Sequence, residues 1–258
     1  GGLSFVAFDA KLRGRVFVGS ADPGERHLFR SDDGGKTWSA VAGGPAADML
    51  PVKAVIGSDG VLTITYCDGI GPNGITRGAV WRFDPARGTW LDVTPIKGAQ
   101  APIGGYMGVA VAVSDPQTIA VSTVDRGNPV DTVWLSHDGG AHWDELWKRS
   151  VRDVSATPFL DFGGKANFGH WIAGLAIDPF DANHAAYVTG ATVYATEELQ
   201  KPGTMQWAPW TKGIEQTAII TLVSPTGGAH LVSGFGDIGG FRHDDFTVSP
   251  AHQHINPF

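Results

Sequence analysis

The chain has 258 residues, of which 42% are hydrophobic and 17% are charged, so it can bury a core and is not a disordered segment. Its 26 acidic and 19 basic side chains give a net charge of −7, which argues against nucleic acid or an anionic membrane as a partner. A neutral ligand such as a sugar fits this charge, and no apolar run reaches the roughly 18 residues that a membrane-spanning helix needs.

The first elements are short apolar runs separated by turn residues, as the 36 glycines and 16 prolines suggest. Runs of this kind recur in groups of four along the chain. The groups are 5–9, 15–19, 27–30 and 37–41; 52–56, 61–66, 79–83 and 88–93; 108–113, 118–122, 132–135 and 142–146; and 172–177, 185–188, 192–195 and 206–210. A fifth group begins at Thr217. The pattern predicts an all-β fold made of β-propeller blades, each with four antiparallel strands. Propellers close with about 4–8 blades, so the chain is expected to be part of a larger propeller array.

One turn in the first group and one in the third carry the same signature. Residues 31–38 fit Ser-x-Asp-x-Gly-x-Thr-Trp, and residues 136–143 fit it except that His142 replaces the threonine. This is the Asp-box of β-propellers, in which the carboxylate accepts backbone N–H groups across a hairpin turn and the tryptophan packs between sheets. The residues predicted to have this structural role are Ser31, Asp33, Gly35, Trp38, Ser136, Asp138, Gly140 and Trp143.

Candidate ligand-binding residues lie in loops at strand ends, which gather on one face of a propeller. Asp68 and Arg126 each follow a predicted strand, whereas Tyr106, His170 and Trp171 come just before one. The two aromatic rings either stack on sugar faces or close the core, and the histidine is either an acid–base group or a hydrogen-bonded spacer. Cys67 is the only cysteine, so no internal disulfide is possible, and it is interpreted as a buried small hydrophobe.

Asp237 stands just past a strand end between glycines, in the sequence Gly236-Asp237-Ile238-Gly239-Gly240. Glycines allow close approach of another molecule, so this carboxylate is well placed to act on a ligand. The alternative is that it only caps its own turn. The spacing of the histidines near the C-terminus matches no known metal-ligand set, so we predict neither a metal nor a cofactor.

Several stretches together resemble glycoside hydrolase family 74, the tandem β-propeller enzymes that degrade xyloglucan. The stretches are residues 4–9, 58–62, 78–83, 170–180, 187–196 and 236–245. The resemblance implies a tandem pair of seven-bladed propellers, with residues 1–98 forming the last blades of the first and residues 99–258 the first blades of the second. It also implies an extracellular, secreted enzyme that binds a polysaccharide or oligosaccharide.

The resemblance further implies inverting cleavage of the β-1,4-glucan backbone by two aspartates across a cleft. Asp237 matches the general acid, and Phe241 would help to form an apolar wall beside it. The family's general base lies in a Thr-Asp-x-Gly-Gly loop of the early blades, and the sequence contains no such loop. We therefore expect that these 258 residues lack the base and the N-terminal blades and are inactive alone. The alternative is a non-catalytic propeller that binds glycan or protein, and a sialidase-like site is ranked last.

Overall fold

The structure is a computed structural model that describes residues 2–22, 24, 26–98, 101, 103–127, 130–157, 160, 168–214, 217–236 and 238–254. Within these residues, short strands form five sheets and a 3-10 helix spans Leu146–Arg149. No helix in the described ranges has the length and hydropathy needed to cross a membrane.

Sheets 1 to 3 each have four antiparallel strands in the order of the chain, as predicted. Sheet 1 contains β1 (Leu3–Phe8), β2 (Val16–Ser20), β3 (Leu28–Ser31) and β4 (Ser39–Ala40). Sheet 2 contains β5 (Leu50–Ile56), β6 (Leu62–Cys67), β7 (Gly78–Asp84) and β8 (Thr89–Asp92). Sheet 3 contains β9 (Gly105–Val111), β10 (Ile119–Val124), β11 (Val133–Ser136) and β12 (Asp144–Glu145).

Sheet 4 has one strand more than predicted. It consists of β13 (Ser150–Arg152), β14 (Gly174–Ile177), β15 (Ala185–Val188), β16 (Val193–Thr196) and β17 (Met205–Pro209). β13 follows the 3-10 helix and pairs in parallel with β17, with Ser150 opposite Met205. The Trp207 indole N–H also donates to the Ser150 hydroxyl at 3.2 Å, which fixes this outer strand to the sheet.

Sheets 1 to 4 pack face to face in chain order, and each interface has its own buried apolar cluster. Phe17 and Leu62 join sheets 1 and 2, whereas Leu135 and Tyr187 join sheets 3 and 4. Between them, sheets 2 and 3 share a cluster that includes Val93 and Tyr106. Apolar side chains on both sides of residue 98 belong to this cluster, and the division into two propellers between residues 98 and 99 stays a prediction.

Sheet 5 differs from the others. It has three strands, β18 (Ile219–Val223), β19 (Leu231–Phe235) and β20 (Gly239–His243). The four apolar clusters found among the described residues include none from this sheet, and all five residues of β18 are exposed. The break in core packing thus falls between β17 and β18.

The two turns with the Ser-x-Asp-x-Gly signature have nearly the same hydrogen bonds. Asp33 accepts the backbone N–H and the hydroxyl of Thr37 at 2.9 and 2.6 Å. Asp138 accepts the backbone N–H of His142 at 2.9 Å, and the His142 ring lies 2.6 Å from the same carboxylate, so the imidazole occupies the place of the threonine hydroxyl. The bonds from Thr37 hold the pKa of Asp33 at about 2, and those from His142 hold the pKa of Asp138 at about 2.

The two tryptophans of these turns are placed differently. The Trp143 indole N–H donates to the Val93 carbonyl at 2.9 Å, and its ring packs on the cluster between sheets 2 and 3. Trp38, in contrast, is 44% exposed and donates to Gly35 in its own turn. Sheet 1 is the first sheet of the described chain, so no preceding sheet within it covers this ring.

Candidate functional site

Loops from successive sheets meet at one end of the array. Cys67 at the end of β6 pairs with Leu50 at the start of β5, and Val124 at the end of β10 pairs with Gly105 at the start of β9. The loops that leave β6, β10 and β15 therefore lie beside the segments that enter β5, β9 and β14. We call the end formed by residues 68–77, 103–104, 125–127, 130–132, 168–173 and 189–192 the loop face.

Carboxylates tie the loops of neighbouring sheets together across the loop face. The Ile75 N–H donates to Asp125 at 3.0 Å, and the Trp171 N–H donates to Asp131 at 2.7 Å. Asp125 and Trp171 both have left-handed backbones, with φ of 57° and 55°. Such conformations are uncommon for residues other than glycine, and they cluster at functional sites.

A groove of about 480 Å³ opens between sheets 2 and 3 beside these loops. Its apolar wall includes Trp81, Ile96, Ile103 and Tyr106. Its basic groups are neutralised by acidic partners, in the ion pairs Arg77–Asp48 at 2.7 Å, Lys97–Asp92 at 3.4 Å and Arg126–Glu145 at 2.8 Å. A surface that combines aromatic rings and hydrogen-bonding groups with charges held in ion pairs suits a neutral, hydroxyl-rich ligand.

Two of the predicted site residues, Tyr106 and Arg126, are among those that line this groove. Tyr106 is 5% exposed, its hydroxyl accepts the Ile96 N–H at 3.4 Å, and burial raises its pKa to about 12. Arg126 is also 5% exposed, and its Nε has no hydrogen-bond partner among the described residues. Both side chains are thus mostly part of the packed interior, and only a small part of each reaches the groove.

Asp68 is occupied within its own loop. Its carboxylate accepts the backbone N–H of Thr76 at 2.9 Å and the hydroxyl of the same residue, and Arg77 lies 3.7 Å away. Burial acts to raise the pKa of Asp68, but the hydrogen bonds from Thr76 outweigh it, so the pKa is lowered. This aspartate therefore shapes the loop between β6 and β7.

His170 and Trp171 lie together over the turn between β15 and β16. The rings meet edge to face with centroids 4.7 Å apart. A side chain on Gly190 would contact Trp171 at 3.2 Å and His170 at 3.4 Å, so glycine makes room for both rings. Trp171 is half-buried against a cluster that includes Met107, whereas His170 is exposed. Both predicted residues therefore reach the loop face.

Phe241 and Asp237 belong to sheet 5. Phe241 is buried and packs edge to face on Phe235, so its ring forms the small core of this sheet. Asp237 lies outside the described residues. Beside it, Gly236 donates its N–H to Ala218 at 2.9 Å. The described residues contain no group of three or more His, Cys, Asp or Glu side chains that would hold a metal ion.

One residue of the loop face was not predicted. The Asp131 carboxylate is 1% exposed and accepts three hydrogen bonds, from the Thr123 hydroxyl at 2.9 Å, the Arg126 N–H at 3.1 Å and the Trp171 N–H at 2.7 Å. An aspartate in a polar loop carries no sequence signal for such a role, because two of the three donors are backbone groups and one comes from the next sheet.

A larger groove of about 620 Å³ lies on the far face of sheet 4, floored by alanines that include Ala186 and Ala195, with Trp210 among its lining residues. None of the predicted site residues lines it. The loop face therefore remains the candidate site.

Comparisons with known proteins find xyloglucan-degrading enzymes among the relatives of this chain. A xyloglucanase from Paenibacillus sp. is 38% identical over 283 residues, which cover 99% of this chain and 27% of the relative. The crystal structure of a GH74 xyloglucanase from Xanthomonas campestris is 39% identical with a TM-score of 0.90, over 99% of this chain and 37% of that one. A GH74 enzyme from Niastella koreensis is 26% identical with a TM-score of 0.87, over 99% and 38%. The chain thus spans about a quarter to two fifths of these relatives, and no family model matches it.

Proposed function

Because the chain belongs to glycoside hydrolase family 74, we propose that it contributes to a xyloglucan-degrading enzyme whose loop face binds the polysaccharide. In this proposal the enzyme cleaves the β-1,4-glucan backbone with inversion and acts outside the cell. The groove beside Tyr106, whose charged side chains are held in ion pairs, supports a neutral carbohydrate as ligand, together with the rings of His170 and Trp171 at the same end of the sheets.

We propose Asp237 as the general acid. The observation that carries this assignment is its position in the Gly-Asp-x-x-Gly-Phe sequence between the end of β19 at Phe235 and the start of β20 at Gly239. The loop from β19 to β20 corresponds in topology to the loops of β6, β10 and β15 on the loop face.

Inversion needs a second carboxylate. An acid must protonate the leaving oxygen while a base activates water on the opposite face of the sugar, with the two carboxyl groups about 6.5–9.5 Å apart. The sequence has no Thr-Asp-x-Gly-Gly loop to supply that base. The proposal therefore assigns the acid to this chain and leaves the base unassigned within it.

The test measures reducing ends released from xyloglucan by the wild type and by Asp237→Asn. General acid catalysis is worth about 10²–10⁴-fold, so we expect a loss of that size. A dinitrophenyl glycoside of a xyloglucan oligosaccharide does not need a protonated leaving group, and on it the variant is expected to stay within about tenfold of the wild type. Proton NMR of the first product anomer tests inversion.

Asp244→Asn is the matched control, since Asp244 is an exposed carboxylate of the same sheet paired with Arg242. Its activity should equal that of the wild type. If the chain alone is inactive, the same variants are compared in a protein that includes any coding sequence upstream of Gly1. Equal loss of activity on both substrates would contradict the acid role of Asp237. Binding of xyloglucan without hydrolysis by the longer protein would favour a non-catalytic glycan-binding propeller.

A further inference from the structure

We propose that Asp131 is a positioning residue that holds Trp171 in the conformation in which its ring faces the ligand on the loop face. The identity of the ligand rests on the proposed function, whereas the contact between Asp131 and Trp171 does not. This contact joins a loop residue of sheet 3 with the aromatic residue that lies just before strand β14 (Gly174–Ile177) of sheet 4.

The first observation is the environment of the carboxylate. Asp131 is 1% exposed, and no basic side chain of the described ranges forms an ion pair with it. Burying a charge costs free energy unless hydrogen bonds compensate. Both oxygens are used: Oδ1 accepts from Thr123 and Arg126, and Oδ2 accepts from Trp171. One oxygen therefore accepts hydrogen bonds within its own sheet and loop, while the other accepts one from the residue that precedes sheet 4's strand β14.

The second observation is the backbone of Trp171. Its φ of 55° is left-handed, a conformation that is strained for a bulky residue and persists only where the surroundings fix it. The bond to Asp131 at 2.7 Å is the charge-assisted contact that holds this N–H. On the other side, Gly190 leaves space for the ring. The buried carboxylate of Asp131 and the left-handed backbone of Trp171 are both locally unfavourable, and one hydrogen bond joins them on the face where the ligand is proposed to bind.

The chemistry of asparagine makes this testable. An asparagine side chain has one acceptor oxygen where the carboxylate of Asp131 uses two, so Asp131→Asn cannot satisfy both its own loop and Trp171. Loss of the bond to Trp171 should release this residue from its single conformation. Asp125→Asn is the matched control, because Asp125 lies in the same loop and also accepts an N–H from another sheet, that of Ile75.

The experiment uses the full chain labelled with 5-fluorotryptophan. The ¹⁹F resonance of Trp171 is identified by its absence in Trp171→Phe. In Asp131→Asn we expect this resonance to shift and broaden or split, while it stays in place in Asp125→Asn. An unchanged Trp171 resonance in a folded Asp131→Asn variant would overturn the proposal. If Asp131→Asn does not fold, Asp131→Glu, which keeps two acceptor oxygens on a longer side chain, is measured in the same way.

Binding of xyloglucan oligosaccharides gives the second readout. If Asp131 acts through Trp171, Asp131→Asn should weaken binding about tenfold in the wild-type background and have no effect in the Trp171→Ala background, whereas an Asp125→Asn effect should be the same in both. An equal Asp131→Asn effect in both backgrounds would overturn the proposal. If the wild type binds no oligosaccharide, the proposed function fails, and the resonance of Trp171 still decides whether Asp131 positions it.

Discussion

The contact between sheets 2 and 3 leads to the sharpest stability prediction, at Gly78. A Cβ atom on this residue would lie 2.5 Å from Gly105 Cα and 2.5 Å from Tyr106 N, far inside ordinary contact distance. Both neighbours are backbone atoms of the next sheet, so no side chain can rotate away. Gly78 does not have a left-handed φ, and its substitution therefore tests packing alone.

Gly78→Ala should lower the free energy of unfolding by about 3 kcal/mol, the upper end of the usual cost of overpacking, because two sheets have to separate. The smaller entropy of unfolded alanine offsets about 0.4–1 kcal/mol of this. The net loss is then about 2–2.6 kcal/mol, and in a chain of this size each kcal/mol lowers Tm by roughly 2–4 °C, so we expect a decrease of roughly 4–10 °C. Thermal unfolding followed by circular dichroism measures it.

Gly227→Ala is the matched control, because no atom lies within 4 Å of a Cβ at Gly227 and its φ is ordinary. Its Tm should remain within about 2 °C of the wild type. If Gly78→Ala unfolds at the same temperature as this control, the two sheets do not meet backbone to backbone, and glycine does not set their separation.

Three further predictions follow from described contacts. Glu145→Gln should destabilise the chain by about 3–5 kcal/mol in urea unfolding, because it leaves the buried charge of Arg126 without its partner. The pKa of Asp138 in the folded chain is about 2, below its ordinary value of 3.8. The ionised carboxylate therefore stabilises the fold above pH 3.8, and this stabilisation is lost as the pH falls through about 2. The Tm difference between the wild type and Asp138→Asn should vanish over the same pH range. Ser122→Ala should cost about 1–3 kcal/mol in urea unfolding, since this buried hydroxyl bonds backbone groups of two sheets.

The substitutions of Glu145 and Ser122 each have a control variant. Lys148→Gln removes the exposed partner of Glu145 and should change stability by less than about 1 kcal/mol. Ser224→Ala removes an exposed hydroxyl bonded to a carbonyl and should be within about 0.5 kcal/mol of the wild type. A Tm difference for Asp138→Asn that persists unchanged at about pH 2 would contradict the low pKa, and equal effects of Glu145→Gln and Lys148→Gln would contradict the buried ion pair.

The strands of sheets 1 to 4 could be predicted because apolar runs and turn residues recur at a regular spacing. β13 could not, since Ser150–Arg152 is short and polar and its partner Met205 lies far along the chain. Its pairing depends on tertiary structure, which local sequence does not encode. The exposure of Trp38 was missed for a similar reason, because the motif defines the turn and not what covers it.

The candidate site was predictable only in its location. Strand-end loops led to Tyr106, Arg126 and Trp171, but sequence could not tell how deeply each side chain is buried. Tyr106 and Arg126 are nearly enclosed, whereas Trp171 is half-buried at the loop face. Asp131 was invisible to sequence reasoning because its role depends on a donor from another sheet.

Sheet 5 shares no apolar cluster with the rest of the described chain, and this has a kinetic consequence. Amide hydrogens of Phe17 or Ile64, in the continuous packing of sheets 1 to 4, should exchange with deuterium only on global unfolding. The amide hydrogens of β18 to β20 should exchange through a local opening that needs less free energy than global unfolding. The sheet formed by β18 to β20 would then be a separate cooperative unit, with less protected amides than those of sheets 1 to 4.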